Sequence, residues 1–123
     1  MTERILAWEG CNNVRDLGGL GLGDGGMTRW KALVRADTPS RLTPAGWEAL
    51  YTYGIRTIIT LRTHGIVEKE LDFSLPYAEI AHVQAPIEDL TDMEFTRRWA
   101  ASDLWGTPLY YRDALLRWPQ QIG

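Results

Sequence analysis

The chain has 123 residues, with 45% hydrophobic content and 13 basic against 16 acidic side chains for a formal charge of −3. That is enough apolar material for the core of a single domain, and the absence of any basic run leaves no electrostatic footprint for nucleic acid or for an anionic membrane, so neither partner is expected. Cys11 is the only cysteine, which excludes an internal disulfide framework and fits a reducing compartment, while the N-terminus lacks a signal-peptide core and no apolar run approaches a membrane span. A cytoplasmic location is expected.

In chain order, Ile5 to Trp8 form a short apolar run suited to an edge strand, followed by the turn-forming segment Glu9-Gly10-Cys11-Asn12-Asn13. Val14-Arg15-Asp16-Leu17-Gly18-Gly19 leads into a glycine-rich stretch with Asp24-Gly25-Gly26 as its tightest turn. This reads as a β-hairpin whose return strand runs from Met27 to Val34. A phosphate cradle is rejected here, because a second strand follows the glycines where a helix N-terminus would be needed.

Arg35 to Arg41 reads as loop. Thr43 then N-caps a helix with Pro44 at its first position, Leu42 and Trp47 form a hydrophobic staple, and Gly54 closes the helix. Gly54-Ile55-Arg56-Thr57-Ile58-Ile59-Thr60-Leu61-Arg62 is the most β-branched run in the chain and reads as a strand. Its apolar side chains occupy both parities, as in an internal strand of a sheet covered by helices on both faces. Arg62 stands at the end of that strand, where it either meets an anion or is simply solvated.

Residues 63–70 are ambiguous between loop and short helix. A second parallel strand is expected over Tyr77 to Val83, and Thr91 with Glu94 forms a capping box for the next helix, with Phe95 and Trp99 on one face. Thr107-Pro108 opens a last helix with Tyr111, Leu115 and Trp118 on its apolar stripe, interrupted at Pro119. Of the aromatic side chains, most are expected in the core, including Trp30, Trp105 and Trp118.

The inventory of reactive groups is thin. His64 and His82 lack metal-ligand spacing and have no cysteine pair beside them, and Cys11 lies in a loop without a neighbouring histidine, which reads as a structural thiol.

The blocks Asn13-Val14-Arg15-Asp16-Leu17-Gly18-Gly19, Leu33-Val34-Arg35-Ala36-Asp37, Leu42-Thr43 and Gly54-Ile55-Arg56-Thr57-Ile58-Ile59-Thr60-Leu61-Arg62 resemble, in order and spacing, the N-terminal half of the bacterial tyrosine-phosphatase family. The resemblance implies a cysteine-dependent phosphoric monoester hydrolase acting on phosphotyrosine proteins, or in some relatives on phosphoserine, phosphothreonine or phosphoinositides, without cofactor or metal. It implies an α/β fold: an incomplete protein-tyrosine-phosphatase-like sheet flanked by helices, with an N-terminal β-hairpin. Arg15, Asp16, Arg35 and Arg62 are then the candidate substrate-binding residues, at the periphery of the phosphate site.

The departures from the family bear on activity. Its nucleophile sits in an HCxxGKxR loop that no part of these 123 residues contains, and its Asp-Leu-Arg is here Thr60-Leu61-Arg62. No catalytic residue is therefore assigned. The expectation is one truncated phosphatase-like domain over 1–123, inactive as it stands and self-associating through an open sheet edge. Two alternatives stay open: a non-catalytic interaction module with a phosphatase-like fold, and an unrelated small α/β binding domain.

Overall fold

The computed structural model describes residues 3–61 and 74–122. Arg62, His64 and the ambiguous segment 63–70 lie outside the described residues. The described chain divides into two compact units, 3–58 with 74–81 and 59–61 with 82–122. The fold class is the expected one: helices mixed with a small N-terminal antiparallel hairpin and a short parallel sheet.

In the first unit, β1 (Arg15–Asp16) pairs antiparallel with β2 (Val34–Arg35), setting Arg15 opposite Arg35 and Asp16 opposite Val34. Ile5 bridges Arg15 from the other side, so of the expected Ile5–Trp8 strand only an isolated bridge forms. At the far end Gly21 bridges Met27, and Leu22 N–H donates to Gly26 O at 2.8 Å. The expected return strand over Met27 to Val34 is corrected: regular pairing breaks at Trp30 and Lys31, where Lys31 takes a left-handed φ of 58°. Trp30 causes part of this, because it packs against bare backbone. A Cβ on Gly18 would lie 2.6 Å from the Trp30 Cα, so only glycine admits that approach.

Arg35 belongs to β2, and the rest of the expected loop contains a 3₁₀ turn, Pro39–Arg41, capped by Thr38. Helix α1 (Pro44–Tyr53) begins where its local signals place it. Thr43 Oγ1 accepts from Gly46 N–H at 3.2 Å, and Gly54 at φ 112° ends the helix with its N–H directed at Leu50 O and Tyr51 O. Trp47 and Leu50 bury with Trp8, Val14, Leu42 and Ile80 in one core, which holds both halves of the expected staple.

The parallel sheet consists of β3 (Thr57–Thr60) and β4 (Ala81–Gln84). Its amide donations advance together, from Ala81 N–H to Arg56 O and from Ala85 N–H to Thr60 O. Both strands are shorter than expected, and β4 starts late because Ile80 N–H closes a turn onto Tyr77 O. The expectation that β3 is buried on both faces is also corrected. Ile59 and Leu61 are 56% and 52% exposed, on the parity opposite to the half-buried Ile58 and Thr60, so one face of this strand is open.

In the second unit, α2 (Met93–Ala100), α3 (Pro108–Arg117) and the short α4 (Pro119–Ile122) follow one another. Phe95, Trp99, Tyr110, Ala114 and Trp118 form the core of this unit, with Phe95 and Trp118 rings 4.5 Å apart. Two expectations change here. The buried stripe of α3 is Tyr110, Ala114 and Trp118, whereas Tyr111 and Leu115 face solvent, because the Tyr110 hydroxyl reaches Glu88 at 2.7 Å. The cap of α2 is Asp92, whose carboxylate accepts from Phe95 N–H, while the Thr91 hydroxyl is taken by Asp89 at 2.5 Å. Trp30 is half-buried and Trp105 is exposed rather than core.

Thr43→Ala is expected to lower stability by about 1 kcal/mol through loss of the cap. Thr91→Ala is expected to stay within about 0.5 kcal/mol of wild type, since it caps nothing. Asp92→Ala should destabilise, as it loses the cap together with the Arg117 contact at 2.7 Å. Urea midpoints at unchanged slope check this order, and a Thr91 effect larger than that of Asp92 would refute it.

Candidate functional site

The residue around which the N-terminal blocks fold is Asp16. Strand alternation turns Val14, Asp16 and Gly18 inward and Arg15 outward, and Asp16 is completely buried. One carboxylate oxygen accepts from Gly18 N–H at 2.7 Å, a turn contact two residues along. The other accepts from Lys31 N–H at 2.8 Å and from the Tyr53 hydroxyl at 2.5 Å. Lys31 adopts its left-handed conformation while presenting that N–H, and the Lys31 ammonium lies 5.0 Å from the centre of the Tyr53 ring.

Burial works against the Asp16 charge, but the bonds from Tyr53, Lys31 and Gly18 and the nearby Arg4 charge outweigh it and hold its carboxyl below the usual range. Tyr53 is pushed up to about 12 by its own burial and by Asp16. The pair is therefore a carboxylate and a neutral phenol at neutral pH.

Arg15 and Arg35 stand opposite each other on the outer face of β1–β2, both exposed. The structure thus brings Arg15 and Arg35 together, places Asp16 behind them with its oxygens already taken, and leaves Arg62 outside the described residues. Tyr53 and Lys31 complete the arrangement and escaped the sequence reading. Only the Asp16–Gly18 turn contact carries a local signal.

Cys11 is half-buried. Its Sγ lies 3.5 Å from Asp37 O and 3.7 Å from Thr38 O, and burial followed by the Asp37 charge pushes its pKa up. In the second unit, His82 Nε2 and Thr60 Oγ1 are 2.7 Å apart. Among the described residues no three His, Cys, Asp or Glu side chains gather to hold a metal, and no helix is long and apolar enough to cross a membrane.

A family model described as the tyrosine phosphatase family matches residues 6–114. The chain belongs to the tyrosine phosphatase family. That membership sets aside the reading as an unrelated binding domain. No curated protein and no solved structure matches the chain. The Asp16 cluster falls inside the matched range, as do Cys11, Arg15 and Arg35.

Asp16→Ala is expected to cost about 3 kcal/mol, because it removes three hydrogen bonds to a buried charge and leaves the buried Gly18 N–H without its acceptor. Asp16, with its lowered pKa, contributes stability that is present above the unfolded carboxyl value and lost as pH falls through the folded one. Tyr53, with its raised pKa, contributes stability that is complete below about 10 and lost as pH rises through about 12. Chemical denaturation across pH should show the alkaline limb flattened in Tyr53→Phe, and an unchanged limb would refute the contact.

Proposed function

We propose that these residues are the N-terminal part of a cysteine-dependent phosphoric monoester hydrolase, forming one incomplete domain that does not turn over substrate by itself. The observation that carries this reading is the state of Cys11. Phosphoryl transfer to cysteine needs a thiolate among backbone N–H groups and cations, whereas Cys11 is surrounded by carbonyl oxygens and its pKa is raised. No HCxxGKxR sequence stands anywhere in the 123 residues to replace it.

In this reading Arg15 and Arg35 attract a phosphotyrosine protein or another phosphomonoester by charge, and Arg62 is proposed for the same task from its place in the sequence alone. Asp16 positions the strand that carries Arg15 and does not touch substrate. The open face of β3–β4, with Ile59, Leu61 and Val83 each 45% exposed or more, is where the completing segment or a second copy would pack.

The isolated chain should not hydrolyse p-nitrophenyl phosphate, and Cys11→Ser should leave that result unchanged. A longer chain carrying the family's cysteine loop should be active and should melt higher. Turnover by the 123-residue chain that Cys11→Ser abolishes would overturn the proposal. Separately, the chain should bind a hydrophobic dye and associate at micromolar concentration, and a monodisperse monomer without dye binding would refute the open face.

A further inference from the structure

Folding sets two cations twenty residues apart in the sequence, Arg15 and Arg35, directly opposite each other. Residues 15–35 contain Arg15, Arg29, Lys31 and Arg35 against Asp16 and Asp24, a net of 4 − 2 = +2 in a chain of −3, so all other residues together carry −5. Asp16 is buried and engaged internally, which leaves Asp24 as the one exposed acid of the hairpin. Lys31 is turned to Tyr53, but Arg15, Arg29 and Arg35 are exposed, and none of them pairs with an acid among the described residues. Arg15 and Arg35 are also direct cross-strand neighbours, where like charges repel unless an anion lies over them.

The apolar residues of the same hairpin are equally unsatisfied. Leu22, Met27 and Leu33 are 48%, 61% and 59% exposed, and Leu20 is exposed as well. Leu17 N–H bonds Leu33 O at 2.9 Å, which continues the Arg15–Arg35 register and puts Leu33 on the arginine face. Gly21, Gly23 and Gly25 have open space where a side chain would be, so the tip is a thin protrusion rather than the wall of a pocket. Apolar side chains on a protruding tip with guanidinium groups behind them match the layering of a bilayer surface, acyl boundary below and lipid phosphates above. A soluble anion would leave the leucines and Met27 unused.

We propose that the hairpin 15–35 docks this chain on an anionic lipid bilayer, with Leu20, Leu22 and Met27 entering the headgroup layer and Arg15, Arg29 and Arg35 against lipid phosphates. The inference does not rest on the reading of activity above, but it gives Arg15 and Arg35 a lipid phosphate as their partner where that reading gives them a phosphomonoester substrate. Read linearly, the sequence argues against such a surface, because it has no basic run. The strand register supplies the Arg15–Arg35 pair that the linear order lacks.

Vesicle flotation of the full chain tests this, using phosphatidylcholine with about 30% phosphatidylserine against phosphatidylcholine alone. Wild type should float with the anionic vesicles only, and raising salt from about 0.05 to about 0.5 M should release most of it. Leu22→Asp with Met27→Asp, and separately Arg15→Gln with Arg35→Gln, should each weaken binding about tenfold while leaving the far-UV circular dichroism unchanged. All four positions are exposed, so these variants keep both cores. Absence of flotation, binding that both double variants retain, release by millimolar inorganic phosphate at constant ionic strength, or equal binding to neutral vesicles would each overturn the proposal.

Discussion

The first unit depends on a buried carboxylate. Asp16 ties three segments distant in sequence: its own strand, the return arm of the hairpin through Lys31 N–H, and the end of α1 through Tyr53. Hydrogen bonds to a charged group contribute more than neutral ones, and three are made here to a carboxylate that is itself fully buried. The same contacts explain a local oddity. Lys31 would rarely take a left-handed conformation in a strand, but in doing so it turns its N–H onto Asp16 and places its ammonium over Tyr53. Tyr53 in turn meets Trp8 edge-on at 6.0 Å, so the polar cluster leads directly into the apolar core.

Burying Asp16 decides what the other face carries. Side chains alternate along a strand, so an inward Asp16 requires an outward Arg15, and the pairing then sets Arg35 beside it. A slip of one residue would bury a guanidinium and expose the carboxylate, which makes the register costly to change. The cationic outer face is thus a consequence of the buried anion.

The parts of the fold legible in the sequence are those fixed within a turn or two. Thr43 and Gly54 act on backbone groups three or four residues away and Pro44 through its own fixed φ, and α1 has the boundaries they dictate. The hairpin was legible for the same reason, since glycines concentrate where its chain reverses. What the sequence left hidden depends on distant partners. Thr91 and Asp92 are both competent caps, and the choice falls to Asp92 while Asp89 captures the Thr91 hydroxyl. Tyr110 and Tyr111 both fit an apolar stripe, and Glu88, more than twenty residues earlier, selects Tyr110. The Asp16 cluster was half legible: the motif drew attention to Asp16, but Tyr53 and the Lys31 backbone come to it only through the fold.

The family chemistry separates two requirements that this chain meets unequally. Attracting a phosphomonoester takes positive potential, and β1–β2 holds the Arg15 and Arg35 guanidinium groups on one exposed face. Transferring its phosphoryl group takes a thiolate, and a thiolate survives only where donors and cations surround it. Cys11 has the opposite surroundings, with Asp37 O, Thr38 O and Asn12 O around its sulfur and the Asp37 charge nearby. Moving Arg15 or Arg35 toward Cys11 would not repair this, because the carbonyl oxygens that surround the thiol belong to backbone. That backbone is itself fixed, since Asp37 N–H is bonded to Asn12 O at 3.0 Å. The loop that holds Cys11 is thereby tied to the exit of β2, and the thiol lies against the carbonyl oxygens of that tie.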